Sequence, residues 1–201
     1  MTSNELTVAY PGREGALSAA ACDRLFPAAR VMALPSFADV VGAVTDRSCT
    51  FGVLPIESSL VGPVNETHDL LFDSALSIVA EAILPIRHCL VGTAEIALGD
   101  VREIRSHPVA LDQCRRLLAS TPWAGATVAG TTGDAAAAVA ALADPTVVAI
   151  ASERAARLHS LVVLDANVGD HPEAYTRFAA LAPYTRLDRR HGTWRPALSF
   201  V

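Results

Sequence analysis

Short apolar runs alternate with helix-length stretches from one end of this chain to the other, and that alternation limits its possible folds more than any single motif. Leu6–Tyr10, Val31–Leu34 and Phe51–Ile56 read as strands, each followed by a predicted helix: Ala16–Phe26, Phe37–Thr45 and Val64–Phe72. The second of these helices has apolar residues at Phe37, Val40, Val41 and Val44, the spacing of one helical face. Leu76–Leu84 reads as a long strand and His88–Thr93 as another. Then come a strand and turn over Val101–His107, a helix over Val109–Ser120 and a strand over Ala126–Ala129. Thr131-Thr132-Gly133-Asp134 caps an alanine-rich helix that runs through Leu142, and alanine is the best helix former. Val147–Ala151, a helix over Arg154–Leu158 capped by Ser152-Glu153, and Val162–Leu164 follow. The tail from Pro183 to Trp194 reads as a polar linker, and Pro196–Val201 as a terminal strand. Strands alternating with helices predict an α/β fold with mainly parallel sheets covered on both faces.

Composition removes several functions. The chain has 201 residues, of which 51% are apolar and 18% charged, which is enough apolar material for a substantial core. All 16 cationic residues are arginine, so Schiff-base chemistry and a P-loop lysine are both excluded. The formal net charge is −5, with no basic stripe, which argues against nucleic acid as a partner. Cys22, Cys49, Cys89 and Cys114 are scattered without paired spacing; they read as buried thiols in a reducing cytoplasm, not as a zinc site. The N-terminus lacks the pattern of a signal peptide, and no apolar run is long enough to span a membrane. No cofactor and no metal are expected.

The chemistry-bearing residues cluster at the ends of predicted strands. Gly12–Ser18, Glu57–Ser59, Ser106-His107, Thr131-Thr132 and Thr176-Arg177 supply hydroxyls, glycines and helix N-termini where α/β folds bind ligands. Arg177 can grip a carboxylate through two parallel bonds, and Thr176 can donate one hydrogen bond. No nucleophile–base pair stands out, and Ser58 and Ser59 lack an elbow motif. Such an inventory suits a small polycarboxylate held by dipoles.

Several ordered motifs resemble one family. Val53-Leu54-Pro55-Ile56-Glu57-Ser58-Ser59, followed by Gly62, Val64, Thr67 and Asp69-Leu70-Leu71, is similar to the V-P-I-E-N-S…G-x-V-x-x-T-x-D-L-L signature of prephenate dehydratases. Tyr10-x-Gly12-x-Glu14-Gly15, Ser106-His107-Pro108-x-Ala110-Leu111-x-Gln113-Cys114, Ala149-Ile150-Ala151-Ser152 and Thr176-Arg177-Phe178 resemble the family's other motifs, in order. The resemblance implies two α/β lobes joined by a hinge, like a type II periplasmic binding protein, with substrate in the cleft. Residues 1–80 with 168–201 would form the first lobe and 81–167 the second. The implied reaction is the decarboxylating dehydration of prephenate to phenylpyruvate in phenylalanine biosynthesis. Arogenate, the aminated form, is an equal candidate substrate. The alternatives are a non-aromatising prephenate decarboxylase and a non-catalytic binding module.

The resemblance makes Thr176 the catalytic hydroxyl. Arg177 would hold substrate carboxylates and Glu57 would orient donors. Ser58, Ser59, Gly15, Ala16, Thr131, Thr132, His107 and Phe178 would contact substrate. A homodimer or homotetramer is implied as well. Three positions depart from the family pattern: Ser58 stands where asparagine is usual, Gly15-Ala16-Leu17 where G-T-F is usual, and Glu173-Ala174-Tyr175 where an asparagine precedes T-R-F. Family members commonly continue into a phenylalanine-binding ACT domain. The chain stops at what resembles that domain's first strand, so phenylalanine is expected neither to inhibit nor to stabilise it.

Overall fold

A computed structural model describes residues 6–122 and 124–184. The expected terminal strand Pro196–Val201, nearly all of the polar tail and the extreme N-terminus lie outside them. The chain divides into two compact units. Among the described residues, one takes 6–13, Leu17–Pro85 and 175–184; the other takes Glu14–Ala16 and the described part of Ile86–Ala174.

The first unit is built on strands β1 (Thr7–Pro11), β2 (Arg30–Leu34), β3 (Phe51–Ser58), the short β4 (Gly62–Pro63), β5 (Leu76–Pro85) and β11 (Tyr175–Pro183). Their order is β2-β1-β3-β11-β5, with β4 paired to β3. Helices α1 (Leu17–Leu25) and α2 (Phe37–Thr45) cover opposite faces, and α3 (Asn65–Phe72) follows β4. Val8, Tyr10, Cys22, Phe26 and Phe178 fill the core under α1; Ala9, Val40, Leu54, Ala179 and Leu181 fill the core under α2. Gly52 allows the second contact, because a Cβ there would meet the Val40 side chain at 2.8 Å. Ser36 begins α2 with a capping box: its Oγ accepts from the Asp39 N–H at 3.1 Å, and the Asp39 carboxylate accepts from the Ser36 N–H.

The second unit holds β6 (Cys89–Gly92), β7 (Glu103–Ser106), β8 (Gly125–Val128), β9 (Val147–Ala151) and β10 (Val162–Asp165) in the order β10-β6-β9-β7-β8. Helices α6 (Thr132–Leu142) and α7 (Glu153–Leu158) cover one face through Ala135, Ala136, Val139, Ala155 and Ala156. Helices α4 (Pro108–Asp112) and α5 (Arg115–Ser120) cover the other through Ala110, Cys114 and Leu117. The predicted single helix over Val109–Ser120 is therefore two. The break has a distant cause. Asp170 donates its N–H to the Gln113 carbonyl at 2.7 Å, and its carboxylate accepts from the Arg115 and Arg116 N–H groups at 2.8 and 3.1 Å. A carboxylate from far along the chain thus caps α5 where the local N-cap, Cys114, makes no side-chain bond.

Both sheets are mixed. β1–β2, β1–β3, β7–β8 and β7–β9 run parallel. β11 runs antiparallel to both β3 and β5, and β6 antiparallel to both β9 and β10. Cys22, Cys49, Cys89 and Cys114 are all buried and unbridged. Among the described residues no helix is long and apolar enough to cross a membrane.

Candidate active site

Because β11 is antiparallel to β3, its first residues lie beside the carboxyl end of β3. Thr176 pairs with Ser58 on one side and Leu84 on the other, and Arg177 pairs with Glu57 and Ile83. This edge is where parallel strands of α/β folds present their ligands. A β-bulge interrupts the ladder there: Arg177 faces Glu57, but Phe178 faces Pro55, so Ile56 is the extra residue.

The segment after β3 binds two carbonyls at the bulge. The Pro55 carbonyl accepts from the Thr67 hydroxyl at 2.7 Å, and the Ile56 carbonyl accepts from the Val64 N–H at 3.0 Å. Thr67 is fully buried. The motif residues Val64 and Thr67 are thus the partners of the bulge, a structural duty that the sequence reading left unassigned.

Side chains alternate along a strand, so Thr176 and Arg177 project to opposite faces of the sheet. Thr176 shares its face with Phe178, which lies in the α1 core. Arg177 lies on the face of Ala179 and α2. There its guanidinium is already engaged. Nε and Nη2 donate to Glu81 Oε2 at 2.9 and 2.7 Å, and Nη1 donates to Glu57 Oε2 at 3.3 Å. Hydrogen bonds to Glu81, ahead of those to Glu57, hold the Arg177 pKa above its ordinary value against desolvation. Two protein carboxylates thus engage the guanidinium that was expected to grip a substrate carboxylate, and they do so on the face away from Thr176.

Four polar residues of the chain are buried among the described residues: Thr67, Ser106, Thr121 and Thr176. Three have engaged hydroxyls. Thr67 bonds the Pro55 carbonyl, Ser106 donates to the Ile150 carbonyl at 2.7 Å, and Thr121 donates to the Leu117 carbonyl at 3.1 Å. The Thr176 side chain, 9% exposed, makes no hydrogen bond to any described residue, and no buried side-chain oxygen is sealed away without a partner. Its hydroxyl is therefore open to a ligand.

The other expected contacts fall into three groups. Ser58 and Ser59 shape the edge: Ser58 Oγ accepts from the Leu60 N–H at 3.3 Å, and Ser59 clamps Tyr175. Ser59 Oγ accepts from the Tyr175 N–H at 2.9 Å, and its own N–H donates to the Tyr175 carbonyl at 3.0 Å. Phe178 is 2% exposed and packs in the core under α1.

The third group belongs to the second unit. His107 Nδ1 accepts from the Val109 N–H as the N-cap of α4. The Thr131 hydroxyl caps α6, accepting from the Asp134 N–H and donating to its carboxylate, both at 2.9 Å. Gly15 has φ +90°, a conformation that favours glycine, and its carbonyl accepts from Ser152 Oγ at 3.2 Å. Ala16 follows it without a hydroxyl. Thr132, half-buried in the first turn of α6, has a hydroxyl with no bond to any described residue. Among the described residues no group of three or more His, Cys, Asp or Glu side chains could hold a metal ion.

Comparison with known proteins fits this arrangement. The family model for prephenate dehydratase matches residues 8–185. A plant relative, arogenate dehydratase/prephenate dehydratase 2 of Arabidopsis thaliana, is 34% identical over 90% of this chain and 50% of its own length. A bifunctional N-acyl-homoserine lactone acylase/prephenate dehydratase of Komagataeibacter europaeus is 35% identical over 88% of this chain and 62% of its own. The solved prephenate dehydratase of Arthrobacter aurescens, in complex with L-Phe, superposes with a TM-score of 0.77 at 28% identity, covering 88% of this chain and 60% of that one. The chain thus spans about half to two-thirds of the length of these relatives. The fold is α/β and periplasmic-binding-protein-like, as the sequence led us to expect. By the extent of the family match, the chain belongs to the prephenate dehydratase family.

Proposed function

We propose that this chain removes carbon dioxide and hydroxide from prephenate to give phenylpyruvate. The observation that supports this reading most is the open hydroxyl of Thr176, set beside the carboxyl end of β3 in a segment otherwise rich in bonds. In the reaction the bond from ring carbon to carboxylate breaks and its electron pair enters the ring. At the far ring carbon the bond to the hydroxyl oxygen breaks, and hydroxide leaves. The ring becomes aromatic, and hydroxide takes a proton to become water. Thr176 donates a hydrogen bond to the departing oxygen, a bond that strengthens as charge develops there. A threonine hydroxyl is too weak an acid for full proton transfer, so the effect is electrostatic, on the order of 10²–10⁴-fold.

Holding the substrate falls to groups other than Arg177. The first-turn N–H groups of α1, on the Thr176 face of the sheet, have no intrahelical acceptor and favour a carboxylate. Glu57 acts through Arg177 and not on the substrate. A second reading, arogenate as substrate, is favoured by the name of the Arabidopsis relative.

Incubation with each substrate, following carbon dioxide and aromatic product together, tests the proposal. One aromatic keto acid per carbon dioxide from prephenate is the expected result. Turnover of arogenate alone would move the assignment to the second reading. Carbon dioxide without aromatic product, or no product from either, would overturn the proposal.

A further inference from the structure

We propose that Glu81 is a positioning residue for Thr176, acting through Arg177. The inference rests on the functional reading of Thr176 above, but its geometry stands separately. Arg177 makes its two shortest bonds, 2.9 and 2.7 Å, to Glu81, and only a 3.3 Å bond to Glu57, its own cross-strand partner. Glu81 pairs with Ala179, two residues further along β11, while Ile83 is the β5 residue opposite Arg177. The guanidinium therefore leans along the sheet face, away from the edge that carries Thr176. It ties together three strands, with Glu57 on β3, Arg177 on β11 and Glu81 on β5.

The tie sits where the backbone ladder is weakest. The bulge at Ile56 falls between the Arg177 and Phe178 pairings, so β3 hydrogen bonds do not continue evenly past this point. On the other side of Thr176, Ser59 clamps Tyr175 through both its hydroxyl and its amide. Thr176 is thus held from before by Ser59 and from after by the Arg177 cluster, while its own side chain stays unbonded. The three side chains of the cluster are 35–41% exposed, so their value as a salt bridge is small. Direction is what they supply. The Glu81 oxygen takes both the Nε and Nη2 donors and fixes the plane of the guanidinium. Loss of that plane moves the residue next to the reacting hydroxyl, and a displacement of about 1 Å can cost roughly 10²-fold in rate.

Glu81→Gln and Glu81→Ala, with Glu57→Gln beside them, test this through two readouts. Kinetics with prephenate come first. Glu81→Ala should lower kcat about 10- to 100-fold with KM within about twofold, because Glu81 lies on the face away from the substrate. Glu81→Gln keeps one acceptor and should recover part of the loss. Glu57→Gln, which neutralises the partner of the longer bond, should cost less than Glu81→Ala. The second readout is the NMR position and hydrogen exchange of the Thr176 amide in the unliganded chain. Glu81→Ala should shift that resonance and speed its exchange while amides in the second unit stay unchanged. Should the wild-type chain fail to turn over prephenate, the functional reading falls, and the amide readout still decides the positioning claim. Wild-type kcat in Glu81→Ala would overturn the claim. So would a lowered melting temperature with the Thr176 amide undisturbed, since that marks a merely structural role.

Discussion

The two sheets have one plan and different chemistry. Numbered from the first strand of each parallel group, both follow the order 2-1-3-n-4, where strand n runs antiparallel to both neighbours. In the first unit strand n is β11, the last strand among the described residues; in the second it is β6, the first strand after Pro85. The first residue paired to the end of strand three is Thr176 opposite Ser58 in one unit. In the other, Cys89 stands opposite Ala151. Thr176 presents an unbonded hydroxyl. Cys89 is 4% exposed, and burial above all pushes its thiol above the ordinary cysteine range. A raised thiol pKa means an inert thiol. The same position in the same topology therefore carries an unbonded hydroxyl in one unit and a core thiol in the other. The scaffold does not decide which.

The units also differ in how they use hydroxyls. At the carboxyl edge of the second sheet Thr131 and Ser152 cap α6 and α7, and Ser152 also holds the Gly15 carbonyl. At the edge of the first sheet the hydroxyls of Thr67 and Ser59 stabilise the backbone around one residue, Thr176. The second arrangement costs stability if any supporting member is lost.

The comparison can be broken most severely at its central pair. Thr176→Ala should reduce kcat by about 10²–10⁴-fold, whereas Cys89→Ala should leave kcat within about twofold. Steady-state kinetics of the two variants check this, and equal losses would erase the distinction between the units. Next in size is Thr67→Val. It leaves the part-buried Pro55 carbonyl without its donor and should destabilise the chain by about 1–3 kcal/mol in urea unfolding. Activity should fall with it, because the bulge beside Thr176 loosens. Smaller again is Thr131→Ala, the loss of one N-cap in the second unit, expected to cost about 1 kcal/mol in the same measurement.

The smallest effect is on acid stability. Burial raises the Asp170 carboxyl pKa, but N–H bonds from Arg116 and Arg115 and the Arg116 side chain more than offset it, leaving the pKa below its ordinary value. A depressed carboxylate stabilises the fold above its unfolded pKa. That contribution is lost as pH falls through the folded one. Asp170→Asn should therefore flatten the loss of stability below about pH 4, seen in melts across pH, relative to the unmodified chain.

What could be read from the sequence was what local chemistry controls. Helix α2 runs over Phe37–Thr45, as its apolar spacing predicted, strand β9 over Val147–Ala151, as expected, and the cap of α6 is Thr131, the first residue of the expected capping run. What could not be read depended on partners far along the chain. Nothing near Cys114 announces that Asp170 will break the helix there. Nothing near Arg177 announces that Glu81, 96 residues away, will take its guanidinium. For Arg177 the period of the strand held a usable signal. Adjacent residues of a strand cannot both face one ligand, so Thr176 and Arg177 had to divide their roles. Thr67 stood in a recognised motif, but its duty becomes visible only when the bulge at Ile56 is seen.

The most direct test of the account is Thr176→Val, which keeps the shape and β-branching of threonine and removes only the hydroxyl. Its kcat with prephenate should be measured beside its melting temperature. The account predicts a loss of kcat of about 10²–10⁴-fold, with KM and melting temperature close to those of the unmodified chain. A folded Thr176→Val chain that forms aromatic product at the unmodified rate would contradict it.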